Sequence, residues 1–409
     1  MPGSTIRESS PGQRAHDQPV FLHSLVFLDE GEEVTVGRAD VDGYVVLPAE
    51  GASLLRRLEE GLTPGEAANW YERTYGERVD IDSFLDDLAE LDFLRDPGEA
   101  PRSAPPVRWQ RFARVVFSPA GAGCLAAALI ASAIAMFRSP ELVPGYHDLF
   151  FTRSMTVLEL VTFFGQFPLI LLHEMAHALA GRRLGLRTRL SISRRLYYIV
   201  FVTEMDGLVT VPRRKRYLPM LAGMLTDLLV LAVLILLADV TRRPGGALSL
   251  TGGIALAFAY MTVLRLAWQF FFYLQTDLYY VIVTVLGCVD LQGTARIVLR
   301  DRLRRALRRP VSPNDRTSAH PRDLAVARWY SWLLLAGWTA SIAILIAGVI
   351  PAATRVLATV SGRFADSGPH STADLADSIV FVLLNVAQLI ILAVFIRRDR
   401  NRRLGARGR

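Results

Sequence analysis

The chain has 409 residues, 51% of them hydrophobic, and 46 Lys+Arg against 39 Asp+Glu give it a formal charge of +7. Its mean hydropathy of +0.29 is high for a protein that keeps wholly to water. Two cysteines, Cys124 and Cys288, exclude a disulfide framework and a cysteine-built zinc site. The basic clusters alternate with long apolar runs, which fits membrane topology and argues against nucleic acid as a partner.

Residues 1–18 are polar and mixed, and are expected to form a disordered tail. They lack the apolar core of a signal peptide, so the N-terminus is expected to stay in the cytoplasm. Residues 19–97 read as a small α+β domain. FLHSLVFLDE and EEVTVGRAD alternate as short strands, and Asp42-Gly43 sets a turn beside a third, YVVL. GASLLRRLEEGL then has helical spacing at Leu54, Leu55 and Leu58 and stops at Gly61. Thr63-Pro64 opens a second helix and Asp80 caps a third through Phe84, Leu85 and Leu88. Strands and then three short helices predict a winged-helix-like module. A linker rich in Pro and Arg, 98–114, separates it from the apolar remainder of the chain.

The stretch 115–396 holds six apolar runs, near Val115–Phe137, Val157–Ala180, Leu218–Asp239, Leu250–Thr284, Trp329–Ile350 and Ile379–Ile396. A bilayer span takes about 20 helical residues, so the fourth run is too long for one simple span and is expected to break or tilt. Arginine crowds into 108–114, 182–216, 296–328 and the basic tail 397–409, and is sparse in the loops between. Rich and poor loops alternate as six spans with both termini in the cytoplasm require. The expected fold class is therefore mainly α: a multi-pass protein of the cell membrane with about six transmembrane helices and a small α+β N-terminal domain.

The second run contains LLHEMAHALAGRRLG. His173 and His177 are four apart and share one helix face, with Glu174 on the flank. In this H-E-x-x-H spacing two imidazoles bind one zinc, and the glutamate accepts a proton from water and passes it to a leaving amine. Ionisable side chains inside a bilayer are expensive and mark function. A catalytic zinc takes a third protein ligand. His16, His23, His147, His320 and His370 all lie outside the expected spans, which leaves the in-span acids Asp227 and Asp277 as candidates. Position along the chain does not separate them.

Three further segments carry expectations. RTRLSISRRLYYIVFVTEMDG reads as a hairpin with an edge strand for an unfolded substrate, or equally as a packed re-entrant segment; Glu204 and Asp206 there read as surface charges. TARIVLRDRLRRALRR, Thr294 to Arg309, reads as an interfacial helix on anionic lipid. Gln166, seven residues before His173 on nearly the same face, is expected to line a polar path to the site, with Pro168 kinking the helix.

HEMAHALAGRRLG resembles the intramembrane zinc metalloproteases of the site-2 protease type, and LAGMLTDLL is similar to that family's third core helix. QTDLYYVIVTVLGCVDL falls where the family carries an Asp-Gly that supplies the third ligand. The resemblance thus implies His173, His177 and Asp277 as zinc ligands, Glu174 as the catalytic acid/base, and a peptide or membrane-protein substrate. The family's Gly is Leu278 here, and its substrate-positioning Asn and Pro fall at Phe271 and Phe272. VDGYVVLPAEGASLLRRLEEGLTPGEAANWYERTYG resembles the PqqD-like domains that recognise leader peptides of ribosomally made, modified peptides. Together the resemblances span about Val20–Leu94 and Met155–Leu307. They imply a peptidase that serves peptide maturation or export, with a leader peptide held by the N-terminal domain. A second reading is a zinc-binding, non-proteolytic protein that captures a peptide for maturation, export or immunity. A third is a transporter whose histidines carry protons or metal; the lack of another in-span histidine cluster argues against it.

Overall fold

The computed structural model describes residues 17–31, 33–38, 43–96, 98, 107–195, 198–310, 320–344, 346–347, 354 and 372–406. Most of the expected tail, Asp42 of the expected turn, residues 99–106 of the linker, the end of the fifth apolar run and the last three residues of the basic tail lie outside them. The chain divides into two compact units: 1–118 with 175–192 and 202–220, and the remainder.

The first unit opens with strands β1 (Leu25–Glu30), β2 (Glu33–Arg38) and β3 (Tyr44–Pro48) in the order β1-β2-β3, both pairs antiparallel, with Leu25 opposite Arg38 and Val36 opposite Val45. Helices α1 (Ala49–Glu59), α2 (Pro64–Tyr75) and α3 (Ile81–Glu90) come next. Local chemistry sets their starts. Thr63 and Glu66 form a capping box with Pro64 in the first turn, and the Asp80 carboxylate accepts from the Ser83 amide. Leu54, Leu55 and Leu58 of α1 meet Val34, Val36, Ala67, Leu88 and Phe93 in one core. Each such leucine contributes about 1.5–3 kcal/mol by leaving water. Arg38 is buried and donates to the backbone carbonyl and, at 2.8 Å, the carboxylate of Asp92.

Further along come α4 (Gln110–Val116), α5 (Pro119–Arg138) and α6 (Met155–Arg183). After them stand the two-stranded sheet of β4 (Arg187–Arg195) and β5 (Tyr198–Asp206), then α7 (Arg213–Val240), α8 (Leu250–Trp268), α9 (Asp277–Leu286) and α10 (Leu291–Ala306). Helices α11 (Pro321–Ile344) and α12 (Thr372–Ala406) complete the order. Among the described residues four helices, α5 to α8, are long and apolar enough to cross a membrane. The count is five if α9 and α10, bent by 87° at their junction, form one broken span. This is compatible with a multi-pass membrane protein. The long fourth run does break: α8 ends at Trp268, and a turn through Gln275 in the left-handed region (φ 55°) restarts the chain at Asp277. The fifth and sixth runs form α11 and α12. Charged residues open α11, and the sixth run, Ile379–Ile396, lies within α12.

One expectation is changed by packing. Part of the apolar face of α10, expected to lie on lipid, is occupied by protein: Leu291, Ala295 and Val298 pack with Ala327, Tyr330 and Leu334 of α11, while Leu303 and Leu307 further along remain exposed. The segment after α6, expected as a hairpin or a packed re-entrant segment, contains the two paired strands β4 and β5. Glu204 accepts from Ser191 at 2.7 Å and Asp206 pairs with Arg189 at 3.1 Å, so both acids are engaged across the ribbon.

Candidate metal centre

The site starts on α6, which runs without interruption from Met155 to Arg183 through Pro168. His173 and His177 stand one turn apart on it and are buried, as is Glu174 between them. One ligand atom from each of His173, His177 and Asp277 lies within 4.8 Å of the others. Asp277 arrives from the broken run, at the first residue of α9. Its backbone N–H donates to the Gln269 side-chain oxygen at 3.0 Å, and the neighbouring Thr276 hydroxyl donates to the Gln269 carbonyl at 2.7 Å. The break in the run is therefore what delivers a carboxylate to the histidine helix. A continuous helix would have carried Asp277 past it.

Each imidazole has one nitrogen committed away from the cluster. Nδ1 of His173 lies 2.9 Å from Asp227 Oδ2, and Nδ1 of His177 lies 2.7 Å from the Pro219 carbonyl oxygen. Both partners are acceptors only, so both Nδ1 atoms carry protons and donate. That leaves Nε2 of each ring to face the cluster, and Nε2 of His173 is 3.1 Å from Asp277 Oδ2. Two lone pairs do not rest at that distance, so a proton or a cation belongs between them.

The donor set fits a divalent metal. Two imidazole nitrogens and one carboxylate oxygen form a three-ligand set with a position left open, as in catalytic zinc sites with ligand distances of about 2.0–2.2 Å. Orientation of each ligating ring by a hydrogen bond from its other nitrogen is the usual outer support of such sites. Asp227 falls outside the ligand group and on the opposite side of His173.

Asp227 itself is fully buried and is clamped by Arg265 of α8: Nε reaches both carboxylate oxygens at 3.0 Å and Nη2 reaches Oδ1 at 2.7 Å. The second guanidinium edge donates from Nη1 to Gln166 Oε1 at 3.0 Å. Such planar two-pronged pairing offsets a carboxylate that burial alone would make costly. Gln166 thus supports Arg265 from within α6, where a polar path was expected. Sequence reasoning missed Arg265 and Gln269. A lone arginine in a run as apolar as LAFAYMTVLRLAWQFFF is the signal that points to the first. No local signal singles out the second.

No protein-family model, curated protein or solved structure matches this chain. The site's reading accordingly rests on its residues and their geometry.

Phe167, Pro168 and Leu171 of α6 and Phe201 of β5 line an open apolar cavity of about 340 Å³. Phe271 and Phe272 lie in the turn ahead of Asp277, and Leu278 comes directly after it on α9.

Proposed function

We propose that this protein is a zinc-dependent intramembrane peptidase of the site-2 protease type. In this reading it has six spans with both termini in the cytoplasm, and a winged-helix-like, PqqD-like N-terminal domain that holds a leader or substrate peptide. The observation that carries the reading is the convergence of His173, His177 and Asp277 within 4.8 Å, with Glu174 alongside, on and around a long apolar helix.

In this reading His173, His177 and Asp277 hold the metal, and bound zinc supplies Lewis-acid activation of water and of a peptide carbonyl. Glu174 takes a proton from the attacking water and returns it to the amine nitrogen that leaves as the peptide bond breaks. Asp227 keeps the His173 ring turned with Nε2 inward, and the Pro219 carbonyl does the same for His177. Arginine-rich loops supply the orientation argument, since the arginines after α6 mark its cytoplasmic end.

A second reading, a zinc-binding protein that captures a peptide without cutting it, is favoured by Phe271, Phe272 and Leu278, which stand where the resembled family has Asn, Pro and Gly. The deciding experiment uses protein in lipid vesicles with a co-encoded peptide. Cleavage by the wild type, reduced about 10²–10⁴-fold in Glu174→Gln while the zinc content stays at one per chain, supports the peptidase. Cleavage that survives Glu174→Gln would sink the mechanism. A wild type that binds peptide and zinc but cuts nothing would select the second reading.

A further inference from the structure

We propose that the N-terminal domain controls the metal centre through Glu30, which acts as a positioning residue for His177. This rests on His177 being a metal ligand, and the contacts that carry it all lie within the first compact unit.

Glu30 ends β1, at the turn into β2. Its carboxylate takes two arginines from the start of α7: Arg216 Nη2 reaches Oε1 at 3.1 Å and Arg213 Nε reaches Oε2 at 3.2 Å. Arg216 is held firmly in turn. Its Nη2 donates to the Val209 carbonyl at 2.7 Å and its Nε to the Val211 carbonyl at 2.5 Å, which ties the turn before α7 to the helix itself. The same turn lies on the sheet at a second point. The Thr210 methyl sits 2.9 Å from where a Cβ would stand on Gly37 of β2, so only a glycine there admits it.

Three residues beyond Arg216 on the same helix is Pro219, whose carbonyl oxygen takes the Nδ1 proton of His177 at 2.7 Å. The sequence of contacts is short and continuous. A carboxylate in the sheet fixes the first turn of α7, that turn fixes a carbonyl, and the carbonyl fixes the ring of a metal ligand. Helix ends fray unless tied, and the first turn of α7 is tied by the N-terminal domain. An event that shifts the sheet's hold on Glu30 therefore alters how His177 presents Nε2. Loss of outer support of this type weakens metal sites by about 10–100-fold.

The test is zinc release from the full-length protein in lipid vesicles into a colorimetric chelator. Glu30→Ala and Arg213→Gln are compared with wild type and with Asp29→Asn, a neighbouring acid that pairs with Arg56 inside the domain instead. Release about 10-fold faster in Glu30→Ala, smaller but present in Arg213→Gln and absent in Asp29→Asn, supports the inference. Protease resistance of residues 19–97 shows whether the domain stays folded; if Glu30→Ala unfolds it, Arg213→Gln carries the test alone. Unchanged release in the folded variants overturns the proposal. If the wild type retains no zinc, the metal reading has failed separately, and the latch is read by diethyl pyrocarbonate labelling of the histidines. Faster labelling of His177 but not of His173 in Glu30→Ala then sustains the coupling, and equal labelling overturns it.

Discussion

His173 Nδ1 donates to Asp227 at 2.9 Å while His173 Nε2 faces Asp277 at 3.1 Å, so one imidazole separates two acids that chain position left equivalent. The acid on the Nε2 side stands with His177 in the ligand group, and the acid on the Nδ1 side orients the ring. Their variants should differ in kind. Asp277→Ala removes a ligand, and the zinc-to-protein ratio after gel filtration should fall far below that of wild type. Asp227→Asn keeps the ligands and should retain zinc in excess metal, with affinity about 10–100-fold weaker in a chelator competition. Equal losses in both would show that the division of roles is wrong.

Arg265 is the counter-charge of a carboxylate with no solvent exposure. Removing one partner of a buried ion pair costs about 3–5 kcal/mol, because the other charge is left without compensation. Arg265→Met should therefore lower the thermal unfolding temperature strongly in detergent, and Arg265→Lys should recover only part of it, since an ammonium cannot grip both oxygens at once. Adding Asp227→Leu to Arg265→Met removes the orphaned charge and should restore most of the stability. Zinc affinity should stay low in that double variant, because His173 has lost its orienting acceptor. Stability and metal binding are thus expected to part company.

Much of this layout was legible from the residues. Thr63-Pro64 and Asp80 marked helix starts because capping is decided by a few adjacent atoms, and the structure has both caps in place. The break in the run after Leu250 was legible because nearly twice a bilayer's thickness of apolar sequence needs a turn somewhere. The turn's position was not, since it depends on Gln269 reaching forward to the Asp277 backbone across a distance that no local pattern encodes. Partner choice between helices was equally hidden. The apolar stripe of α10 looks the same in sequence whether it meets lipid or α11, and only tertiary packing puts Ala295 and Val298 in one cluster with Ala327 and Tyr330 while Leu303 and Leu307 stay exposed. Arg265 went unread for a related reason, as its partner lies 38 residues earlier on another helix.

The pair Glu141–Arg242 gives a pH-dependent contribution outside the apolar helices, with Nη1 to Oε1 at 2.7 Å. The backbone N–H of Glu141 and the Arg242 guanidinium hold this carboxyl below its ordinary value of 4.5. A lowered carboxyl favours the folded state when ionised. The contribution is therefore present above about pH 4.5 and is lost as pH falls through the lowered value. Glu141 is exposed, so the effect is small and should shrink in high salt. Unfolding of Glu141→Gln beside wild type at pH 7 and at pH 3 is the check. The wild type should be the more stable at the higher pH, and the difference should be smaller at the lower one.

Gly165 on α6 lets the helix meet α8 closely: a Cβ there would overlap the Phe258 ring. Close approach of this pair matters because α6 carries His173 and α8 carries Arg265, whose guanidinium must span to Asp227 and Gln166 together. Gly165→Ala forces either the ring or the helix to move, and overpacking of this sort costs about 1–3 kcal/mol. If the ring yields, the variant should lose stability alone. If the helix yields, the Arg265 clamp loosens and zinc affinity should fall as well. Phe258→Leu in the same chain clears the space and should return both quantities toward wild type. A Gly165→Ala variant with unchanged unfolding temperature and unchanged zinc affinity would mean that the two helices are not held at this contact.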